Sequence, residues 1–323
     1  MYAWGGDTSK WAGSKKYDFD SARKPYLDSL ADDAGKGPRT YTAPAGPDNA
    51  LVNAYGKLIT SESTDPIIIG VDVTGSMSSW PAAIFDRLPL LYQTLSQYRP
   101  NAEFCFAAIG DATCDSFPLQ VNNFGKGLDL EKHVKALFPE GGGGGHITES
   151  YELFGYFMLE HCKTPKATSP FLLIYGDETF YDEVNPRQVK KYIGDTLERT
   201  LPSKEVWKRL MQRFNVYHLH KPYGNSSDDE ILRYWADAIG PQRIIKVPSE
   251  DRAVDIGMGI IAKYWGEFDD FKSNLDARHD SKKVKDSVYH SLRYIPDDKS
   301  PSSKLLVSHH SNPVKSALTK MKD

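Results

Sequence analysis

Three oxygen-bearing side chains stand at alternate positions of one short segment. Asp72, Thr74 and Ser76 supply one carboxylate and two hydroxyls. Alternate residues of an extended chain point to the same side, so these oxygens are expected to converge on one point. Hard cations such as Mg²⁺ bind oxygen ligands, usually one or two carboxylates together with retained waters. The spacing therefore predicts a site for Mg²⁺, with Mn²⁺ or Ca²⁺ as alternatives, at which a further anionic ligand is still needed.

The element that positions these residues is a continuous β-branched run, Ile67 to Val71, directly before Asp72. Such a run is typical of a strand buried on both faces of a parallel sheet. Similar runs recur along the chain and alternate with stretches of helical periodicity, which predicts an α/β fold with a doubly wound, mostly parallel sheet. Further strands are predicted at 104–109, 171–175, 216–219 and 243–247, with an exposed edge strand at 117–121.

The loops that follow the strands are where a site is expected. Ligands of doubly wound sheets bind beyond the carboxyl ends of the strands. The loops to examine therefore follow Val71, Phe138, Tyr175 and Leu219. The helix after the last of these loops is predicted to be capped by Asp228.

The run Ile69 to Met77, which reads IGVDVTGSM, resembles a known metal site. It is similar to the metal ion-dependent adhesion site of von Willebrand factor A domains, whose signature is Asp-x-Ser/Thr-x-Ser, and in particular to that of bacterial and phage intracellular members. The predicted order of strands and helices from Pro66 to Trp265 also matches that Rossmann-like fold. The resemblance covers nearly two-thirds of the chain and implies Asp72 and its two hydroxyl neighbours as metal ligands.

The resemblance implies two further ligands. One is a Thr, or in some branches a Glu, in the loop before the third helix, where this chain has both Thr148 and Glu149. Glu149 is favoured, and Thr148 remains open. The other ligand is an Asp at the end of the next core strand, which falls on Asp177. The family often has Thr before that Asp, whereas this chain has Gly176.

Other patterns are weaker indications of chemistry. The glycines at 141–145 are not followed by Lys-Ser/Thr or immediately preceded by a strand, so a hinge is favoured over a phosphate-binding loop. Asp72-Val73-Thr74 begins like an aspartyl-phosphate phosphatase motif, but Thr74 stands where that motif has the acid that protonates the leaving group. His218 and His220 face the same side of a predicted strand, but they have no third ligand nearby and are interpreted as core or surface histidines. The sequence offers no Ser-His-Asp or Cys-His set.

Composition limits the class of protein. The chain of 323 residues carries a net charge of −3, which is unlike the basic domains that bind nucleic acid. Cys105, Cys114 and Cys162 are expected to be buried free thiols in a reducing compartment. The first ten residues do not resemble a secretory signal, and no apolar run approaches the ~20 residues of a membrane span. A soluble protein of the cytoplasm is expected.

The pattern divides the chain into three parts. Residues 1–60 form an irregular arm whose many aromatic residues predict packing on the domain or on a partner. Residues 61–266 form the α/β domain, and residues 267–323 form a polar tail.

The function expected from these features is metal-dependent binding of a partner. A cation held by one or two carboxylates and two hydroxyls keeps positions open for an acidic side chain of another protein. The resemblance implies an adhesion domain or intracellular adaptor, beside an AAA+ ATPase, a protein kinase or a phosphatase. A metal-assisted hydrolase is the alternative, with Glu149 and Glu178 as candidate bases. A structural component of a phage particle or other assembly is a third.

Overall fold

The computed structural model describes residues 45–142, 145, 147–278 and 281–297. Most of the predicted aromatic arm, residues 1–44, lies outside this range, as do residues 298–323 of the predicted tail. Helices occur beyond both predicted limits of the α/β domain, since among the described residues the first helix begins at Asn49 and the last ends at Ser291.

A six-stranded sheet forms the centre of the molecule, as the alternating pattern predicted. The strands are β1 (Pro66–Asp72), β2 (Glu103–Ile109), β3 (Leu119–Val121), β4 (Phe171–Gly176), β5 (Asn215–His220) and β6 (Ile244–Lys246). Their order in the sheet is β6-β5-β4-β1-β2-β3, and all neighbours are parallel except β2 and β3.

Strand β1 lies in the middle of this sheet and is buried along its whole length. Its residues alternate between two hydrophobic clusters: Ile67 and Ile69 belong to one and Ile68 to the other. Side chains of a strand point alternately to the two faces, so each cluster covers one face of the sheet. Gly70 leaves no room for a side chain, because a Cβ there would lie 2.9 Å from Phe154 and Ile109.

Ten α-helices occur in the described part of the chain, and they contribute to both clusters. Helices α1, α2, α3, α8, α9 and α10 supply residues to the first cluster, and α4, α5, α6 and α7 to the second. The helices are α1 (Asn49–Val52), α2 (Trp80–Tyr98), α3 (Asp129–Ala136), α4 (Tyr151–His161), α5 (Pro186–Tyr192), α6 (Ser203–Met211), α7 (Ser227–Ile239), α8 (Ala253–Tyr264), α9 (Phe268–Arg278) and α10 (Lys282–Ser291).

In the described part of the chain, three pairs of two-residue strands lie outside the central sheet. Two pairs are parallel and one is antiparallel. They join Ile59–Thr60 with Cys162–Lys163, Thr148–Glu149 with Thr179–Phe180 and, in antiparallel sense, Glu183–Val184 with Leu201–Pro202.

The segment predicted as a polar tail packs on the domain up to Ile295. Helices α9 and α10 pack against α8, and Phe271 and Leu292 are fully buried in the first cluster. Gly259 of α8 makes the approach possible, since a Cβ there would collide with Leu292. Sequence periodicity missed these helices because each contributes only a few apolar residues to the core.

The edge strand β3 was predicted to be exposed, but its three residues are buried. The segment that follows α1 covers it, because Asn53 forms a β-bridge with Gln120. Lys57 Nζ also donates to the carbonyl of Val121 at 2.6 Å. Residues of the predicted arm therefore shield this edge from solvent.

The cysteines are unpaired, and two of the three match the expected burial. Cys105 and Cys162 are buried, and burial raises the pKa of both thiols. Cys114 is exposed, contrary to expectation. No helix in the described ranges is long and apolar enough to cross a membrane.

The packing of α10 predicts a large effect of a single truncation. Leu292→Ala should lower the free energy of unfolding by about 2–5 kcal/mol, because it leaves a cavity between α8 and α10. Tyr294→Ala is the matched control, since that side chain is 71% exposed and its loss should change stability by less than about 0.5 kcal/mol. Urea unfolding measures both. Equal, small effects would mean that this segment is the polar tail first predicted.

Candidate functional site

The three predicted oxygen groups lie together at the end of β1. Asp72, the last residue of the strand, accepts hydrogen bonds at Oδ1 from the backbone N–H of Thr74 at 2.8 Å and from its hydroxyl at 2.6 Å. A 3₁₀ turn, Gly75–Met77, then brings Ser76 Oγ to 3.2 Å from Thr74 Oγ1. The loop thus gathers one carboxylate and two hydroxyls, as their spacing predicted.

Asp177 joins this group from the end of β4. Ser76 Oγ donates to Asp177 Oδ1 at 3.0 Å, although the two residues are 101 positions apart in sequence. The contact arises because β1 and β4 are parallel neighbours in the sheet, so the loops after both strands lie side by side at the carboxyl ends of the strands. Asp72 and Asp177 are both fully buried.

Gly176 has a specific role beside this carboxylate. A Cβ at this position would collide with the hydroxyl of Tyr151, and that hydroxyl donates to Asp72 Oδ2. The glycine therefore admits a donor to the second oxygen of Asp72. This contact gives a physical reason for Gly where the resemblance leads one to expect Thr.

Thr148 and Glu149 lie on a short strand paired with residues 179–180. The hydroxyl of Thr148 lies 3.1 Å from that of Thr179. Glu149 is only 2% exposed and lines the same pocket as Ser76. Consecutive residues of a strand point to opposite sides, so only one of the two can face this pocket. The geometry brings Glu149, rather than Thr148, towards the other predicted residues.

The glycine run rests on the loop after β1. Gly75 N–H donates to the carbonyl of Gly142 at 2.5 Å, and Gly141 N–H donates to that of Val73 at 2.9 Å. Gly141 has φ of +69°, a conformation that glycine adopts without strain. The predicted hinge is thus, in its described part, a second wall of the site, whereas 143 and 144 lie outside the described residues.

A pocket of about 500 Å³ opens over this group of residues. Acidic, hydroxyl and aromatic side chains line it, and two of its large apolar side chains, Ile147 and Tyr223, are 44% and 37% exposed. Its lining consists of Gly75, Ser76, Gly142, Gly145, Ile147, Glu149, Glu178, Tyr223, Asn225 and Ser227.

The carboxyl groups around the pocket crowd one another. Burial, and then the charge of Asp177, raises the pKa of Asp72 to about 8. Burial, with Asp72 and Glu178 nearby, raises the pKa of Glu149 to about 11. Glu149 Oε2 is buried without a hydrogen-bond partner in the described structure. Placing several carboxylates in such an environment is unfavourable unless a cation or protons neutralise them.

Lys221 is the residue of this site that sequence reasoning missed. It follows β5 directly, and its Nζ donates to Asp177 Oδ2 at 2.7 Å and to the carbonyl of Ser76 at 2.8 Å. Its position at the end of a strand next to β4 was the available signal. A lysine in a loop has no motif of its own, so nothing marked it out from solvent-exposed lysines.

Asp228 anchors the loop that carries Lys221. Its carboxylate accepts from the backbone N–H groups of Tyr223 at 2.8 Å and Gly224 at 2.9 Å, and it contacts His220 Nε2 at 2.9 Å. The predicted role as the cap of α7 is therefore wrong: the capping position is Ser226, and Asp228 orders the preceding loop instead. Tyr223 in turn donates its hydroxyl to Glu178 Oε1 at 2.9 Å.

The two histidines of β5 belong to the core. Both are fully buried, and the ring of His218 stacks on Trp235 with 4.2 Å between centroids. Burial lowers the pKa of both imidazoles. This agrees with the interpretation of His218 and His220 as structural residues.

The residue types at the site fit a hard cation. Asp72 and Asp177 provide carboxylates, Thr74 and Ser76 provide hydroxyls, and the unpaired Oε2 of Glu149 is a further oxygen. Among residues 45–142, 145, 147–278 and 281–297 there is no cluster of three or more His, Cys, Asp or Glu side chains arranged around one point. The site differs from such a cluster in two ways. Two of its oxygen groups are the hydroxyls of Thr74 and Ser76, and Lys221 already contacts one oxygen of Asp177.

Comparison with known proteins gives distant structural likenesses. No family model matches the chain, and no curated protein matches it. Among solved structures, proximal thread matrix protein 1 from the mussel byssus is 10% identical with a TM-score of 0.43, over 65% of this chain and 48% of that one. The open pilus adhesin SpaC from Lactobacillus rhamnosus GG is 14% identical with a TM-score of 0.47, over 68% and 31%. This chain thus spans less than half the length of either, and neither likeness assigns a function.

The raised pKa of Asp72 predicts how the metal-free protein responds to pH. Its folded-state pKa of about 8 lies above the ordinary value of 3.8, so the folded protein keeps a proton that the unfolded chain has lost. Stability from this group is complete below the unfolded pKa and is lost as pH rises to about 8, with a slope of at most about 1.4 kcal/mol per pH unit. Asp72→Asn should flatten that slope.

Urea unfolding in the presence of a chelator, from pH 5 to 8, measures this effect. Asp237→Asn is the control, because that carboxylate is 68% exposed at the surface. The assignment fails if Asp72→Asn and the wild type lose stability in parallel across this range.

Proposed function

We propose that this protein is a metal-dependent interaction module that binds an acidic group of a partner protein. The observation that carries the proposal is the hydrogen-bonded set of Asp72, Thr74, Ser76 and Asp177 at one edge of the sheet. Buried carboxylates held side by side with hydroxyls are suited to a Mg²⁺-class cation and are otherwise unfavourable.

We further propose that the chain has the doubly wound fold of the von Willebrand factor A family. The strand order β6-β5-β4-β1-β2-β3, in which only β3 is antiparallel, supports this. So do the two hydrophobic clusters on opposite faces of the sheet. The site residues stand after β1 and β4, at the carboxyl edge where open α/β sheets bind ligands.

Each residue of the site has a definable role. Asp72 and Asp177 would supply negatively charged ligands, and Thr74 and Ser76 would supply neutral oxygens. A cation bound by these four groups could still accept a further anionic ligand. Tyr151 orients Asp72 through its second oxygen. A bound Mg²⁺, Mn²⁺ or Ca²⁺ would offer its open coordination to an outside carboxylate.

The pocket indicates what surrounds that carboxylate. Ile147 and Tyr223 are partly exposed large apolar side chains in its lining, and Asn225 and Ser227 offer polar groups. In protein interfaces, a few contacts that are shielded from water carry most of the binding energy. A charged contact at the metal, surrounded by partly apolar side chains, would be shielded in this way. The partner is therefore expected to present an Asp or Glu on a surface with apolar neighbours.

The alternative is a metal-assisted hydrolase that uses the same site. Glu149 and Glu178 line the pocket and are its candidate general bases. Recruitment of a partner needs no general base, whereas hydrolysis does, so metal-dependent turnover separates the two functions.

Metal binding is the first test of this proposal. Asp72→Ala should abolish Mg²⁺ and Mn²⁺ binding in a calorimetric titration, because it removes the carboxylate around which the loop is built. The fold should survive, since Asp72 is the last residue of β1 and its side chain belongs to the loop contacts rather than to either hydrophobic cluster. Retained affinity would refute the site.

Matched variants test whether Glu149 or Thr148 is the metal ligand. Glu149→Gln should weaken metal binding, whereas Thr148→Val should leave it unchanged, because the hydroxyl of Thr148 lies against Thr179. Asp237→Ala, at the surface, serves as the control. The reverse ranking would make Thr148 the ligand.

Partner capture tests the function itself. Wild-type protein used as bait in an extract of the native cell should retain a partner with Mg²⁺ but not with a chelator, and Asp72→Ala should retain none. Removing the partner's acidic residue should cost about 2–5 kcal/mol of binding, as for breaking a desolvated charged pair. Metal-dependent turnover of phosphoesters or peptides that falls with Glu149→Gln or Glu178→Gln would favour the hydrolase instead.

A further inference from the structure

Lys221 places a positive charge against a predicted metal ligand. Its side chain is 13% exposed, and that of Asp177 is fully buried. Nζ lies 2.7 Å from Asp177 Oδ2, while Asp177 Oδ1 accepts from the hydroxyl of Ser76. The ammonium group also donates to the carbonyl of Ser76, so it spans the loops after β1 and β4.

The backbone around this lysine is held firmly. Lys221 N–H donates to the carbonyl of Gly176 at 2.9 Å, which extends the pairing of β5 with β4 by one residue. Asp228 fixes the next residues of the loop through the N–H groups of Tyr223 and Gly224. The backbone of Lys221 is therefore held in place, and the ammonium group is held by its own hydrogen bonds to Asp177 and to the carbonyl of Ser76.

The charges around the pair give this lysine a consequence for cation binding. Asp177 is fully buried, and a buried carboxylate without a counter-charge is strongly destabilising. Lys221 supplies that counter-charge to Asp177. A divalent cation on the same carboxylate would be repelled by the ammonium group, since like charges a few ångströms apart interact strongly in a partly desolvated site.

We propose that Lys221 is a built-in counter-ion that stabilises the metal-free site and weakens its affinity for divalent cations. This inference rests on the proposed metal site. Lys221 acts through Asp177 and is a positioning residue rather than a ligand. The site therefore exchanges one cation for another, and the lysine sets the concentration of metal at which the exchange occurs.

A purely structural lysine predicts the opposite sign. If Lys221 only orders the site, its loss disorders Asp177 and weakens metal binding. If it is a competing counter-ion, its loss strengthens metal binding while the metal-free protein becomes less stable. The sign of the change in affinity separates the two roles.

The test uses the full chain and Mg²⁺ alone. Lys221→Gln removes the charge but keeps a donor, and it should tighten Mg²⁺ binding about tenfold in a calorimetric titration, equivalent to ~1.4 kcal/mol. Lys221→Arg keeps the charge and should bind Mg²⁺ as the wild type does. Lys204→Gln, which breaks the surface pair with Asp237, is the control and should change nothing.

Thermal unfolding provides the second measurement. Without metal, Lys221→Gln should unfold at a lower temperature than the wild type, and Mg²⁺ should raise its midpoint by more. A variant that folds only when Mg²⁺ is added would support the proposal equally. Unchanged or weaker Mg²⁺ binding by Lys221→Gln, with binding intact in the wild type, would overturn this inference alone. Absence of Mg²⁺ binding in all four proteins would overturn the proposed metal site and this inference with it.

Discussion

The carboxylate of Asp72, buried at the end of the central strand, is the constraint around which the site is organised. A buried charge must be hydrogen-bonded or neutralised, and each neighbouring feature answers that requirement. The tight turn to Thr74 supplies two donors to one oxygen, and the absence of a side chain at Gly176 admits Tyr151 to the other. The loops are held at this spacing because β1 and β4 are adjacent in the sheet.

The parts of the fold and site that sequence could predict are those with a local signal. The β-branched run before Asp72 indicated a strand buried on both faces, and β1 is such a strand. Alternation of strands and helices indicated a mostly parallel sheet, which the structure has. The spacing of Asp72, Thr74 and Ser76 indicated convergence of their oxygens, because a turn of three or four residues leaves few other arrangements.

What sequence could not predict depends on contacts between distant residues. Lys221 meets Asp177 across 44 positions, and nothing near either residue signals the pairing. The burial of Leu292 depends on a glycine in α8, and the shielding of β3 depends on Asn53, so neither could be read from local periodicity. Asp228 had the sequence signature of a helix cap, but tertiary structure gave its carboxylate nearer donors in the preceding loop.

The crowding of acids also bears on how binding and stability are linked at this edge. Asp72 and Glu149 are held where their charged forms are disfavoured by burial and by neighbouring acids. Any cation that binds the folded protein alone stabilises it in proportion to the logarithm of its concentration over its dissociation constant. In the proposed function, the repulsion relieved by the cation adds to its affinity, and the charge of Lys221 subtracts from it. In that proposal, the balance between the acidic residues of the pocket and Lys221 sets how readily a cation is available to a partner's carboxylate.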